Sequence, residues 1–100
     1  MIVAAARLTL LIHEADSLKG KRKVLKSLIE RVRHRFDAAI AEVADNDLWQ
    51  KAQVGVALVG NDSQLLQARL DQILNFMENH FQAEIIDSHV EFCYLKSETP

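Results

Sequence analysis

The chain has 100 residues, 49% of them hydrophobic and 26% charged, and its formal net charge is −2. This composition excludes an intrinsically disordered protein, and the length suits one hydrophobic core better than two. We therefore expect a single domain over residues 1–96, followed by a disordered tail at 97–100. The single cysteine rules out an internal disulfide and a cysteine-based zinc site, and without a secretion signal it predicts a cytoplasmic protein.

The N-terminal segment, residues 2–12, alternates strictly and predicts the first β-strand. Its even-numbered positions are apolar, and its odd-numbered positions include Arg7 and Thr9. Arg7 in the middle, together with the absence of a basic leader and a small-residue cleavage site, excludes a signal peptide or a membrane span.

A helical period follows the polar turn at 13–16. Its apolar positions are Leu25, Leu28, Ile29, Val32 and Phe36. Asp16 or Ser17 is placed to cap the helix, because either side chain can accept from the unpaired amides of the first turn. Gly20 lies in that turn and weakens it by about 1 kcal/mol relative to alanine, so we expect a firm helix only from Lys21.

The second half of the chain repeats this order. Residues 38–43 are a short strand candidate, and residues 51–60 alternate as a third strand. Asn61 or Asp62 then begins a second helix, with Gln64 in a capping box with Asn61. Its apolar stripe is Leu66, Leu70, Ile73, Leu74, Met77 and Phe81. The last strand, 84–95, places Ile86, Val90, Phe92 and Tyr94 on one side and Asp87, His89, Glu91 and Cys93 on the other.

The resulting order, βαββαβ, predicts an α+β fold of the ferredoxin-like type, a four-stranded antiparallel sheet with two helices on one face. The other face of the sheet then lacks a cover within the chain. Its predicted members are Val3, Ala5, Leu11, Ala57, Val59, Ile85 and Leu95 beside Arg7, Gln53, His89 and Glu91. A face this apolar predicts self-association, with a homodimer as the first choice. Arg7, His89 and the single tryptophan, Trp49, are the predicted partner or interface residues.

Charge is distributed very unevenly along the chain. Residues 19–35 contain eight basic residues and one acid, a net of +7, and the remainder carries −9. On a helical wheel Lys19, Arg22, Lys23, Lys26 and Arg33 lie away from the apolar stripe, with Arg31 and Arg35 beside them. Such a surface can neutralise several phosphates, although a solvated helix face is the commoner meaning of such a run. Nucleic acid bound there is expected to be structured RNA recognised by phosphate and shape.

Other candidate sites give weaker signals. The acidic segment 45–47 with Glu42 resembles a cation site but lacks the glycine and the distal glutamate of a calcium loop, so we expect a surface turn and no metal. His13, Glu14 and Asp16 are suited both to acid–base chemistry and to an ordinary turn. Cys93 has no basic neighbour in sequence and is expected to be a buried, inert thiol. The three glycines are isolated, which argues against a phosphate-cradling loop. We therefore expect no enzymatic activity, no catalytic residue and no cofactor.

Two blocks of the sequence resemble a known family. Residues 17–28 and 31–36 form the first block, and the second comprises 41–43, 47–52, 55–59 and 61–62. Both are similar to the YlxP-like family, also called domain of unknown function 503. The resemblance implies a ferredoxin-like fold. It implies little about activity beyond the tendency of the family's genes to lie near translation and ribosome-maturation genes. Gly20 and the segment 37–39 depart from the family's usual residues.

These observations together predict a nonenzymatic, RNA- or ribosome-associated binding domain that acts through its first helix. Two alternatives use the open sheet face instead: a homodimer that senses a small ligand, or a homodimer that serves as a protein scaffold.

Overall fold

A computed structural model describes residues 1–13, 16–44, 48 and 50–96 of the chain. Its elements are β1 (Ile2–Ile12), α1 (Leu18–Phe36), β2 (Ala39–Ala44), β3 (Lys51–Gly60), α2 (Ser63–His80) and β4 (Ala83–Tyr94). The strands form one antiparallel sheet in the order β2-β3-β1-β4. The predicted ferredoxin-like architecture is therefore confirmed. The tail at 97–100 lies outside the described residues.

The hydrophobic core lies between the sheet and the two helices. The even-numbered residues of β1, from Ala4 to Ile12, and those of β3, from Ala52 to Leu58, are all buried. Leu25, Leu28 and Val32 of α1 cover them together with Leu66, Leu70, Ile73, Phe76 and Met77 of α2. The strict alternation of β1 and β3 predicted this face correctly because consecutive side chains of a strand point to opposite sides.

Both helices begin at side-chain caps. Ser17 Oγ accepts from the Gly20 amide at 3.0 Å, and α1 is helical from Leu18. The prediction of a firm start only at Lys21 was therefore wrong, because this cap offsets the low helix propensity of Gly20. In α2 the cap is Asp62, whose Oδ1 accepts from the amides of Gln64 and Leu65. The predicted capping box of Gln64 with Asn61 does not form.

A β-bulge changes which side chains of β4 face the core. The pairing register with β1 shifts between Thr9 and Leu10, which leaves Ile86 unpaired. Ile85 consequently packs against the core, and Ile86 is 47% exposed. The predicted faces of these two residues were therefore reversed, because one extra residue in a strand inverts the alternation beyond it.

The opposite face of the sheet has no cover within the described residues. Val59 of β3 is 60% exposed there, and Ala5, Arg7 and Ala41 are also exposed. Cys93 is exposed as well, so the prediction that its thiol is buried was wrong. It pairs with Val3 on this open face at the edge strand β4, where no helix covers it.

Candidate nucleic-acid surface on the first helix

Helix α1 presents a row of four exposed cations to solvent. The row contains Lys19, Arg22, Lys23 and Lys26, which we call the basic stripe. Leu25 and Leu28 bury the opposite side of the helix, so the core fixes the orientation of the stripe. Glu30 is the one acid on the same side of α1, one turn beyond Lys26. A surface of this kind attracts phosphate groups through charge, without needing a particular base sequence.

Arg33, predicted to belong with this group, has a structural contact instead. Its Nη2 donates to the backbone carbonyl of Ile40 at 2.9 Å. Ile40 lies in β2, an edge strand, where carbonyl groups on the outer side lack a neighbouring strand. Arg33 therefore joins α1 to the sheet edge, although its side chain remains partly accessible.

Arg31 and Arg35 lie on another side of α1, over the aromatic rings between the two helices. The Arg31 guanidinium carbon lies 5.2 Å from the ring centre of Phe81 and 5.7 Å from that of Phe76. For Arg35 the distances are 5.0 Å to Phe76 and 5.8 Å to Phe36. These are cation–π distances, which stabilise the packing of α1 on α2. The seven predicted cations thus form one stripe of four, one strand-edge contact and one aromatic-stacked pair.

The sequence analysis missed the most unusual cation. The Lys21 side chain is fully buried, and its Nζ lies 3.5 Å from Oε2 of Glu42, whose side chain is 16% exposed. Lys21, Leu25, Leu28 and Val32 follow the spacing of a buried helix face, so periodicity alone contained the signal. A buried lysine needs such a partner, because an unpaired charge in the core is very costly.

A groove separates α1 from β2, beside the basic stripe. Its volume is about 360 Å³. The lining residues are Arg22, Leu25, Lys26, Ile29, Glu30, Arg33 and Glu42. The groove thus combines an apolar wall with three cations and two carboxylates.

The predicted interface residues on the open face are only partly described. Arg7 and His89 are neighbours in the paired strands β1 and β4, and both line a shallow depression with Glu91. His89 Nε2 lies 3.0 Å from Glu91 Oε1. Trp49 lies outside the described residues, as does the predicted acidic turn at 45–47.

In the first loop, His13 contacts a residue of β4. Its Nε2 lies 3.0 Å from Glu84 Oε1, and both side chains are more than half exposed. Glu14 lies outside the described residues. In the described part of the chain, no three histidine, cysteine or acidic side chains are grouped closely enough to hold a metal ion. The described residues also contain no helical segment apolar enough to span a bilayer.

Comparison with known proteins decides the family. The model of the family "Protein of unknown function (DUF503)" matches residues 3–90. The chain belongs to the DUF503 family. It is also 31% identical over 83 residues to the "Uncharacterized protein YlxP" of Bacillus subtilis (strain 168), a match that covers 83% of this chain and 90% of the relative. The resemblance noted in the sequence is therefore confirmed, and the DUF503 match includes all of α1, the groove and the basic stripe.

Proposed function

We propose that this DUF503 protein is a nonenzymatic, cytoplasmic RNA-binding domain that associates with structured or ribosomal RNA through the basic stripe. The observation that supports the proposal is the exposure of Lys19, Arg22, Lys23 and Lys26 on one rigid helix face. The protein is acidic elsewhere, so its positive potential is concentrated at this surface.

The sheet face is less suited to RNA. A sheet that binds single-stranded RNA usually offers exposed aromatic rings on its central strands. Here the open face of the central strands β1 and β3 includes Ala5, Arg7, Gly55 and Ala57 at their paired positions. Recognition by stacking on this sheet is therefore disfavoured, and the helix remains the better RNA surface.

A titration of the purified protein against ribosomal RNA fragments and intact subunits, at low and high salt, tests the proposal. We expect binding at low salt that weakens strongly as salt increases, because phosphate contacts release bound counterions. Absence of binding to every RNA at low salt would refute the RNA-binding function. Binding that is independent of salt would also contradict it.

We further propose that the open sheet face forms a homodimer. Ala5, Ala39, Ala41, Gly55 and Ala57 leave a shallow depression of about 530 Å³ on the β2-β3-β1 side. The acids Glu84, Asp87 and Glu91 lie along β4, at one rim of the face. Four strands of this length span roughly 19 by 33 Å, or roughly 600 Å², close to the roughly 800 Å² that each partner buries in a standard interface. A second copy fits this face better than a charged partner does, because the β2-β3-β1 side is largely apolar.

Introducing a charge into that depression tests the dimer. Ala57→Arg places a guanidinium on the small-residue side of the open face, where a second copy cannot pack without desolvating it. We expect the dissociation constant of the dimer, measured by sedimentation velocity, to increase at least tenfold. Gln72→Arg, on the exposed side of α2, is the matched control and should leave the dimer intact. A wild-type protein that is monomeric at all concentrations would refute the dimer without affecting the RNA proposal. A specific metabolite that stabilises the wild type against heat would instead favour the ligand-sensing alternative.

A further inference from the structure

The groove between α1 and β2 has a fixed geometry. Arg33 is held at one end by its hydrogen bond to the Ile40 carbonyl. Glu42 is held on the strand side by the buried ammonium group of Lys21. Leu25 and Ile29 form its apolar wall. A groove whose polar residues are already positioned loses little conformational entropy when a ligand binds.

The carboxylate of Glu42 lacks hydrogen-bond donors. Its Oε2 is buried and accepts no hydrogen bond within the described residues, since the Lys21 ammonium group at 3.5 Å is too far for a strong one. Buried acceptors almost always have a donor, and one without a donor is a common feature of a functional site. A ligand that brings N–H groups to this carboxylate would supply what the protein omits.

The groove is continuous with the basic stripe, because Arg22 and Lys26 belong to both. A ligand in the groove therefore has cations at its outer edge, an apolar wall at its side and a carboxylate on the strand side. A nucleotide has the matching parts: a phosphate, a flat base, and N–H donors on the edge of that base. At about 360 Å³ the groove is at the lower end of the volumes typical of small-ligand sites, which suits one nucleotide.

We propose that this groove binds one unpaired guanine nucleotide of the RNA, with the base against Leu25 and Ile29, its N–H edge donating to Glu42, and its phosphate beside Arg22 and Lys26. Guanine fits best because its ring N–H and amino group are adjacent donors that a carboxylate can accept together. Uracil presents a carbonyl on each side of its single ring N–H, and those oxygens repel the carboxylate. The inference rests on the proposed RNA-binding function and adds a base preference to it.

The test uses RNA hairpins that share one stem and differ only in a single bulged nucleotide: G, A, C or U. We expect the full-length protein to bind the G-bulged hairpin at least tenfold more tightly than the U-bulged one, as measured by fluorescence anisotropy. Glu42→Gln should abolish this preference while retaining salt-dependent binding to the unbulged stem. Glu30→Gln, which changes the other acid of the groove, is the matched control and should retain it.

A second variant keeps the inference testable if Glu42→Gln does not fold. Ile29→Trp fills the groove and leaves the Lys21–Glu42 pair unchanged, so it should also remove the preference for G. Equal binding of all four hairpins by the wild type would overturn the inference and leave RNA binding by the stripe intact. Failure to bind any of the RNAs would refute both proposals. If guanosine 5′-monophosphate alone binds as tightly as the G-bulged hairpin, the groove is a free-nucleotide site and its role in RNA recognition is overturned.

Discussion

Replacement of Lys21 by methionine should lower the free energy of unfolding by about 3 kcal/mol. The substitution removes the fully buried ammonium group that faces Glu42, and methionine fills much of the same space. Loss of one partner from a buried ion pair typically costs about 3–5 kcal/mol because the other charge remains without compensation. We use the lower limit because the Glu42 side chain is 16% exposed and solvent can partly screen it.

Urea unfolding followed by circular dichroism measures this effect. Lys23→Met is the matched control, since Lys23 lies two residues away on the exposed side of α1, and it should change stability by less than about 0.5 kcal/mol. The double variant Lys21→Met/Glu42→Leu should regain most of the lost stability, because a well-packed apolar pair can replace a buried ion pair. A Lys21→Met protein as stable as the wild type would contradict the role that we assign to this pair.

Charge reversal in the basic stripe should produce the largest effect on binding. We expect Lys23→Glu/Lys26→Glu to weaken binding to structured RNA at least a hundredfold at low salt. Two phosphate contacts are lost and two repulsive charges replace them, and the slope of log affinity against log salt should become shallower by about 2. Neither lysine has an ion-pair partner among the described residues, so we expect the fold to be unaffected.

The matched control for this variant is Lys51→Glu/Lys96→Glu, which makes the same change in net charge away from α1. It should weaken binding less than about fivefold, through the overall field alone. Equal losses in the two double variants would mean that net charge, rather than the stripe, determines the affinity. Arg33 is excluded from both variants because its hydrogen bond to Ile40 joins α1 to β2.

Local sequence patterns were sufficient to predict most of the fold. Alternation in β1 and β3 and the helical period of α1 and α2 are determined by neighbouring residues, so they appear in the sequence itself. The bulge in β4 is different. It depends on how β4 pairs with β1, which lies more than 70 residues earlier in the chain, and it reversed the predicted faces of Ile85 and Ile86.

The candidate site was predicted less completely than the fold. A count of charges on α1 identified the basic stripe, but it treated Lys21, Arg31 and Arg33 as equivalent cations. Their partners belong to other elements: Glu42 and Ile40 in β2, and aromatic rings in and beside α2. Side chains that are equivalent in sequence therefore acquire structural or exposed roles only when the helix packs on the sheet and on α2.

The groove was likewise not predicted, although most of its residues are visible in the sequence as part of α1. Only the packing of α1 beside β2 brings Glu42 next to Leu25 and Ile29. Glu42 was considered only as a neighbour of the acidic segment 45–47, because its contact with α1 spans about 20 residues of sequence. A helical wheel that included Lys21 in the buried face would have indicated the need for such a carboxylate.

The most direct test of the account is a map of amide chemical-shift changes when ¹⁵N-labelled protein is titrated with a structured ribosomal RNA fragment. The RNA-binding proposal predicts that the changes concentrate on the solvent face of α1 around Lys19–Lys26 and diminish as salt is added. The exposed strand β4 should change little. Shifts concentrated on β4 and the open sheet face, or no shifts at low salt, would contradict the account.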